Sequence, residues 1–217
     1  MRKINQAVTL ALVAMIAFST LSLFRVQLAG ISILIGVVVY TVINTKNRPN
    51  SFTAVDIKRA YRELRESSIC LWALLPLSIN IVVLLLAKMF FPEFIEHIGG
   101  RTAHLGIGIL LVVQLLISAL GEEIAWRAFF QHEVAKIVPV KPAIVITSIV
   151  FAIGHFSPGN LAIAIIDVLL VFVNSVIYGI IFAKSKNAFV SSLAHFAANL
   201  VALGLTERTR FTIAALG

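Results

Sequence analysis

Three groups of ionisable and amide side chains occur inside otherwise apolar stretches of this chain. They are Glu122, Glu123 and Arg127, then His155, then His195 and Asn199. Carboxylates and histidines activate water by taking its proton, whereas imidazole and amide N–H groups donate hydrogen bonds to a developing oxyanion. Charged groups inside a membrane span cost roughly 2.5–3.5 kcal/mol each on insertion scales, so they usually mark a functional site. These residue types are suited to acid–base chemistry on a bound water.

The two adjacent carboxylates are predicted to differ in role. Glu123 and Arg127 are four residues apart, the favoured spacing and orientation of an ion pair on a helix. Glu122 points about 100° away around the helix and lacks that partner. A carboxylate that remains able to bind water is suited to be a general base, so Glu122 is the candidate. The alternative is that all three groups lie solvated at the membrane surface.

His155 is predicted to meet Glu122 across a helical hairpin whose turn lies at Pro139–Pro142. Glu122 precedes the centre of that turn by about 18 residues and His155 follows it by about 15, so their depths differ by about one helical turn. A lone histidine in an apolar helix is more often a structural hydrogen-bonding residue. The shared depth favours a site instead.

The last two apolar stretches add polar groups at a comparable depth. His195 and Asn199 are four residues apart, so both side chains share one helix face. Asn174 and Tyr178, on the preceding stretch, have the same spacing, and Asp167 lies on their face. Hydrogen bonding between helices is the simpler explanation for Asn174 and Tyr178.

The elements that carry these groups are predicted to be transmembrane helices. Of 217 residues, 59% are hydrophobic and 13% are charged, whereas soluble domains average about 25% charged residues. Apolar stretches of about 17–25 residues predict membrane spans. The candidates are Val8–Phe24, Val26–Ile43, Ile69–Phe91, His104–Leu120 with a helical continuation as far as Val138, Pro142–Phe156, Leu161–Ala183 and Ala188–Leu205. The predicted fold is all-α, one membrane domain over residues 1–217 with about seven spans, or eight.

The distribution of basic residues predicts the orientation. The net charge is +8, but the basic residues flank apolar stretches, which indicates anionic lipid headgroups and not nucleic acid as the partner. With the N-terminus in the cytoplasm, five of the 18 lysines and arginines fall on the outer side, which leaves thirteen inside. Those five are Arg25, Lys88, Arg101, Arg208 and Arg210. A multi-pass plasma-membrane protein in this orientation is therefore predicted.

Residues 44–68 form the longest polar stretch and are predicted to be a cytoplasmic loop. Ile57, Tyr61 and Leu64 lie at i, i+4 and i+7 beside basic residues, and Thr53–Asp56 resembles a capping box. An amphipathic helix that anchors the chain at the inner leaflet is favoured over one that gates a site.

The first apolar stretch also resembles a signal peptide, because it follows a basic start. It lacks a clear small-residue cleavage site before the next apolar stretch, so an uncleaved first span is predicted. Cys70 is the single cysteine, which excludes an internal disulfide framework and a cysteine-based metal site.

The motifs resemble those of the CAAX protease and bacteriocin-processing family (CPBP, or Abi), which includes the type II prenyl endopeptidases. The family patterns E-E-x-x-x-R, F-x-x-x-H and H-x-x-x-N occur here in order, within a predicted catalytic core at residues 105–205, as Glu122, Glu123 and Arg127, Phe151 and His155, and His195 and Asn199. The resemblance implies that Glu122 and His155 hold and activate water. It also implies that His195 and Asn199 stabilise the oxyanion. Many members have eight spans, one more than the seven candidates here.

Members of this family have been described as metalloproteases, and a metal-free, glutamate-activated water has also been proposed for them. A divalent metal such as zinc would take Glu122, His155 and His195 as ligands. Asn199 is a poor zinc ligand but a good oxyanion donor, which favours a site without metal.

The predicted function is an intramembrane endopeptidase acting on a peptide or membrane-protein substrate, with water supplied by a polar cavity that opens toward the cytoplasm. The alternatives are a non-catalytic immunity factor or regulatory scaffold, and a proton-coupled transporter. The complete catalytic set favours the enzyme, and the lack of paired broken helices disfavours the transporter.

Overall fold

The computed structural model describes residues 5–46, 55–102 and 109–214, which form helices joined by short connections and contain no strand. The predicted all-α class is therefore confirmed. The helices are α1 (Gln6–Thr20), α2 (Ala29–Lys46), α3 (Ile57–Leu64), α4 (Ser67–Phe90), α5 (Pro92–Thr102), α6 (Ile109–Glu123), α7 (His132–Val134), α8 (Val140–Gly154), α9 (Leu161–Ser185) and α10 (Ala188–Ala214). A 3₁₀ turn, Leu21–Phe24, extends α1, and a π-helical segment, Ile124–Gln131, joins α6 to α7.

Most of these helices are apolar on their outer surface. In the described ranges, five stretches are long and apolar enough to cross a membrane, namely Gln6–Phe24, Ser68–Phe90, Ile109–Val134, Leu161–Ser185 and Ala188–Thr206. Two shorter apolar helices, Ala29–Thr45 and Val140–Gly154, stand where the second and fifth spans are predicted. Outward-facing Leu34, Leu71 and Ile109 are 66%, 69% and 74% exposed. Such a surface requires lipid around it, so the chain is a membrane protein. Seven crossings remain a prediction.

The main apolar core lies between α1, α2, the π-helical segment and α8. Met15 of α1 is buried there with Ala125 and Phe129 of the π-helical segment and Phe151 of α8. Gly36 lets α2 approach closely, since a Cβ added to it would lie 2.6 Å from Cβ of Ala125. This packing fixes the helix that carries the first motif.

Polar contacts define one end of the bundle, which we call the α3 end. Asn187, in the connection between α9 and α10, donates a hydrogen bond of 2.8 Å to the carbonyl oxygen of Asp56. Arg59 of α3 donates one of 2.8 Å to the carbonyl oxygen of Lys186. Gln131 donates one of 3.0 Å to the carbonyl oxygen of Gly179. The end of the π-helical segment and the start of α8 therefore also lie at this end.

The opposite end, which we call the α5 end, is the end at which α5 packs against the bundle. Leu84 near the end of α4 is buried against Phe94 of α5, and Ala202 of α10 packs on the same cluster. Ser22, after α1, donates a hydrogen bond of 3.1 Å to the carbonyl oxygen of Gly154. The C-terminal ends of α1 and α8 therefore lie at the α5 end.

The predicted continuous helix from His104 to Val138 is wrong in two respects. Its backbone widens into the π-helical segment, although neither glycine nor proline stands there, and the helical stretch ends at Val134. Its first residues, 104–108, lie outside the described ranges. The early end follows from Pro139, which disfavours helical geometry in the residue before it. The hairpin turn accordingly lies at residues 135–139, and Pro142 falls inside α8.

Helix α3 forms within the predicted polar loop. Asp56 caps it by accepting a hydrogen bond of 2.8 Å from the backbone N–H of Arg59, whereas Thr53 of the predicted capping box lies outside the described residues. Ile57 and Tyr61 are 65% and 71% exposed. These two residues thus face outward, as an interfacial helix requires, whereas Leu64, the third residue of the predicted stripe, packs against the cluster that contains Ala60 and Ile69. Its contact with a leaflet remains a prediction.

Candidate active site

Glu122 lies in the last turn of α6, at mid-height in the bundle. Its Oε1 accepts a hydrogen bond of 3.0 Å from Oγ of Ser118, one turn earlier. Its Oε2 is buried and has no hydrogen-bond donor among the described residues. This oxygen lies 3.8 Å from Nε2 of His155 and 3.9 Å from Nε2 of His195. A buried carboxylate oxygen without a donor is costly, so it requires a water or a proton.

His155 is held at the C-terminal end of α8. Its Nδ1 lies 2.8 Å from the carbonyl oxygen of Phe151, and a carbonyl only accepts, so Nδ1 carries the hydrogen. The ring also packs on Phe151, with centroids 4.4 Å apart. His155 therefore turns its Nε2 toward Glu122.

His195 is oriented by the second glutamate of the first motif. Its Nδ1 lies 3.2 Å from Oε1 of Glu123, whose Oε2 accepts a hydrogen bond of 3.2 Å from Nε of Arg127. Because Glu123 accepts as a carboxylate, Nδ1 of His195 is the donor. The ring of Tyr178 stacks on His195 at 4.6 Å between centroids. His195 thus also presents Nε2 to Glu122.

The ion pair of Glu123 and Arg127 is fully buried, with both side chains 0% exposed. Arg127 also donates a hydrogen bond of 2.9 Å to Oγ of Ser175 on α9. Its guanidinium lies 5.2 Å from the centroid of the Phe151 ring. Breaking a buried pair typically costs about 3–5 kcal/mol, because one charge is left uncompensated. The loss of either partner would therefore leave a buried charge next to the cavity without compensation.

A cavity of about 310 Å³ adjoins these groups. All four predicted catalytic residues line it, namely Glu122, His155, His195 and Asn199. Five further polar side chains line it, namely Asn80, Ser118, Asp167, Asn174 and Tyr178, together with apolar ones that include Leu84, Ile98 and Leu170. A concave pocket in which polar groups converge is typical of a ligand site.

The predicted supporting residue Asn174 connects helices. Its amide donates a hydrogen bond of 3.0 Å to Oδ1 of Asn80 on α4, and Asn80 donates one of 3.4 Å to the carbonyl oxygen of Ala198 on α10. These bonds agree with hydrogen bonding between helices, although Asn174 also lines the cavity. Asp167 is 1% exposed and lies 3.2 Å from Nε2 of His97 on α5.

Sequence reasoning missed several of these partners. Ser118 precedes Glu122 by four residues, and that helical spacing was a usable signal. Tertiary packing brings three other partners to the site, namely Ser175, Asn80 and His97. The pattern of a single sequence contains no signal for such contacts.

The three atoms proposed as metal ligands lie farther apart than the ligands of a bound tetrahedral zinc. Tetrahedral zinc with bonds of about 2.0–2.1 Å holds its ligands about 3.4 Å apart. Here Oε2 of Glu122 lies 3.8 Å and 3.9 Å from the two histidine nitrogens. Within the part of the chain that the structure describes, no group of three or more His, Cys, Asp or Glu residues could hold a metal ion.

The cavity among the apolar helices, with its convergent carboxylate, imidazole and amide groups, is the candidate active site. Residues 104–201 match the family model described as type II CAAX prenyl endopeptidase Rce1-like, and all three motifs lie within that segment. The match confirms the resemblance seen in the motifs and covers just under half of the chain. At the level of the family, the match indicates a CAAX-type intramembrane endopeptidase. No curated protein and no solved structure matches the chain.

Proposed function

We propose that this protein is an intramembrane endopeptidase in which Glu122 activates the attacking water. The observation that carries the proposal is the buried Oε2 of Glu122, which faces Nε2 of both His155 and His195. A buried carboxylate oxygen that lacks a donor needs one beside it. Water is the donor that hydrolysis requires.

The water would lie between Oε2 of Glu122 and Nε2 of His155. Their separation of 3.8 Å is within reach of one bridging water. The water gives one hydrogen to each acceptor, so a lone pair on its oxygen remains for attack. Ser118 holds the other oxygen of Glu122 at 3.0 Å and keeps the carboxylate in place.

His195 and Asn199 would bind the oxyanion. Nδ1 of His195 donates to Glu123, so the ring would donate to the oxyanion through a hydrogen on Nε2. The amide of Asn199 lines the same cavity one helical turn away. One donor in an oxyanion hole is typically worth about 10²–10³ in rate.

The proposed reaction balances without a metal. The water oxygen bonds to the peptide carbonyl carbon, and Glu122 takes the proton that the water loses. The tetrahedral intermediate then collapses, its carbon–nitrogen bond breaks, and Glu122 returns the proton to the leaving amine. His195 and Asn199 donate to the carbonyl oxygen throughout.

We further propose a plasma-membrane location with the α3 end in the cytoplasm. Eight basic residues described in the structure lie at that end. They are Lys58, Arg59, Arg62, Arg65, Lys136, Lys141, Lys184 and Lys186. The positive-inside rule places such an end in the cytoplasm, where anionic headgroups would contact α3. We propose a peptide or a membrane protein as the substrate.

The proposal is tested by comparing membrane-associated peptides in cells that express the wild type, Glu122→Gln or Glu133→Gln. Glu133 lies on α7, outside the cavity, so its variant is the matched control. We expect one set of peptides to appear with the wild type and the control and to be lost with Glu122→Gln. Identical peptides in all three would contradict the proposal and favour a non-catalytic scaffold.

A further inference from the structure

The catalytic cavity extends toward one end of the bundle. Tyr178 and His195 mark its deep side, near the middle of the molecule. From there its lining reaches Asp167 near the start of α9, Ala202 of α10 and Ile98 of α5. Each of these three residues lies toward the α5 end, and the described lining includes no residue of α3 or of the connection between α9 and α10.

A second cavity lies at the α5 end itself. Its volume is about 540 Å³, and we call it the vestibule. Gln27, Glu96, His97 and Ser157 are among its lining residues. His155 lines both the vestibule and the catalytic cavity, and its side chain is 25% exposed, against 12% for Glu122. The catalytic histidine candidate is therefore reached from the vestibule.

The pair of His97 and Asp167 lies between the two cavities. His97 lines the vestibule, Asp167 lines the catalytic cavity, and the two side chains lie 3.2 Å apart. Ile98, the next residue of α5, lines the catalytic cavity as well. Helix α5 thus lines both cavities, which adjoin each other at His155.

The two ends of the bundle differ in their content of lysine and arginine. The α3 end holds the eight basic residues named above beside Asp56, Glu63, Glu66 and Glu133, whereas Arg25 and Lys88 are the lysine or arginine side chains described at the α5 end, which also carries Glu93 and Glu96. A cytoplasmic face is rich in lysine and arginine. The vestibule therefore lies on the face that this rule assigns to the outside.

We infer that the active site is loaded from the extracytoplasmic side, so that its substrates are exported peptides or peptide segments in the outer leaflet. This reverses the sequence-based expectation of a cavity that opens to the cytoplasm. It also disfavours the C-termini of cytosolic proteins as substrates. The hydrolysis rests on the proposed function, whereas the side of entry rests on the cavity lining and the charges.

Cysteine labelling tests the side of entry without any activity assay. Cys70→Ser gives a cysteine-free background, into which Ser157→Cys in the vestibule or Lys184→Cys at the α3 end is introduced. Intact cells are treated with a membrane-impermeant maleimide, before or after permeabilisation. We expect Ser157→Cys to be labelled in intact cells and Lys184→Cys only after permeabilisation. The opposite pattern would overturn the inference. If Ser157→Cys is not labelled even in detergent, Glu96→Cys, which is exposed, replaces it.

An activity measurement then separates the two proposals. A bulky maleimide on Ser157→Cys should abolish cleavage of a peptide supplied from outside, while the same group on Lys184→Cys should leave cleavage intact. Loss of cleavage with the label at Lys184 alone would overturn the side of entry. Labelling as expected together with no cleavage by the unlabelled wild type would contradict the proposed function and leave the side of entry supported.

Discussion

Nδ1 of His195 on α10 lies 3.2 Å from Oε1 of Glu123 at the end of α6. The same glutamate forms the buried ion pair with Arg127. Glu123 therefore has two functions in this fold: it compensates the arginine, and it orients the histidine that faces Glu122. The two neighbouring glutamates therefore differ in their surroundings: Glu122 lines the cavity, whereas Glu123 is fully buried and is not part of the lining.

The different surroundings of Glu122 and Glu123 predict different effects of their substitution on the stability of the protein. Glu123→Gln should lower the melting temperature in detergent, because Arg127 loses a buried partner at a typical cost of about 3–5 kcal/mol. Glu122→Gln should leave the melting temperature unchanged or raise it, because it removes a charge that lacks such a partner. Both variants should lose activity. Equal thermal shifts in the two variants would contradict the assignment.

A double variant sharpens that test. Glu123→Leu combined with Arg127→Met removes both charges, and replacing a buried pair by apolar groups is often neutral or stabilising. We expect the melting temperature to recover relative to Glu123→Gln, while activity remains absent because His195 has lost its acceptor. Recovered activity would show that Glu123 does not orient His195.

The oxyanion donors predict a particular kinetic change. His195→Ala and Asn199→Ala should each lower kcat by about 10²–10³ with little change in KM, because these donors act mainly in the transition state. Tyr178→Phe is the control, since it retains the ring that stacks on His195. Steady-state kinetics in detergent or nanodiscs measure the effect. A rise in KM with unchanged kcat would assign His195 to substrate binding.

A metal-free mechanism predicts resistance to chelation. Purified protein should contain less than one equivalent of transition metal by elemental analysis, and EDTA or 1,10-phenanthroline should leave its activity unchanged. Activity that is lost to a chelator and restored specifically by zinc would instead make Glu122, His155 and His195 ligands.

Two glycines of α2 allow a test of the packing of α2 against the π-helical segment. Gly36→Ala should destabilise the protein by about 1–3 kcal/mol, because the new methyl group would meet the backbone of Ala125 in a tightly packed core. Gly30→Ala is the matched control on the same helix, since no atom lies within 4 Å of its added Cβ. Thermal unfolding of both variants gives the comparison. Equal stability of the two would show that α2 is not held against the π-helical segment.

The local geometry of the site could be predicted from helix periodicity. The four-residue spacing of Glu123 and Arg127 predicted their ion pair. Counting residues across the hairpin predicted the similar depths of Glu122 and His155. Both inferences need only the rise and turn of a helix. The apolar stretches likewise predicted the helices, because lipid-facing helices must be apolar along a length set by the bilayer.

Other features depend on contacts between distant parts of the chain. The π-helical segment contains no proline or glycine, and His97 meets Asp167 only because α5 folds over the start of α9. Helix α5 itself was not predicted, because its 11 residues are too short and too polar for a span. The hydrogen bond from Arg127 to Ser175 likewise requires α9 to pack beside the π-helical segment.

The most direct test of the central claim is peptide hydrolysis by purified protein in H₂¹⁸O. Wild type, Glu122→Gln and Glu133→Gln are reconstituted and incubated with a peptide library, and the products are analysed by mass spectrometry. We predict new carboxyl termini carrying one ¹⁸O with the wild type and with Glu133→Gln, and none with Glu122→Gln. Equal cleavage by Glu122→Gln, or no cleavage by the wild type, would contradict the assignment of Glu122 as the base of an intramembrane endopeptidase.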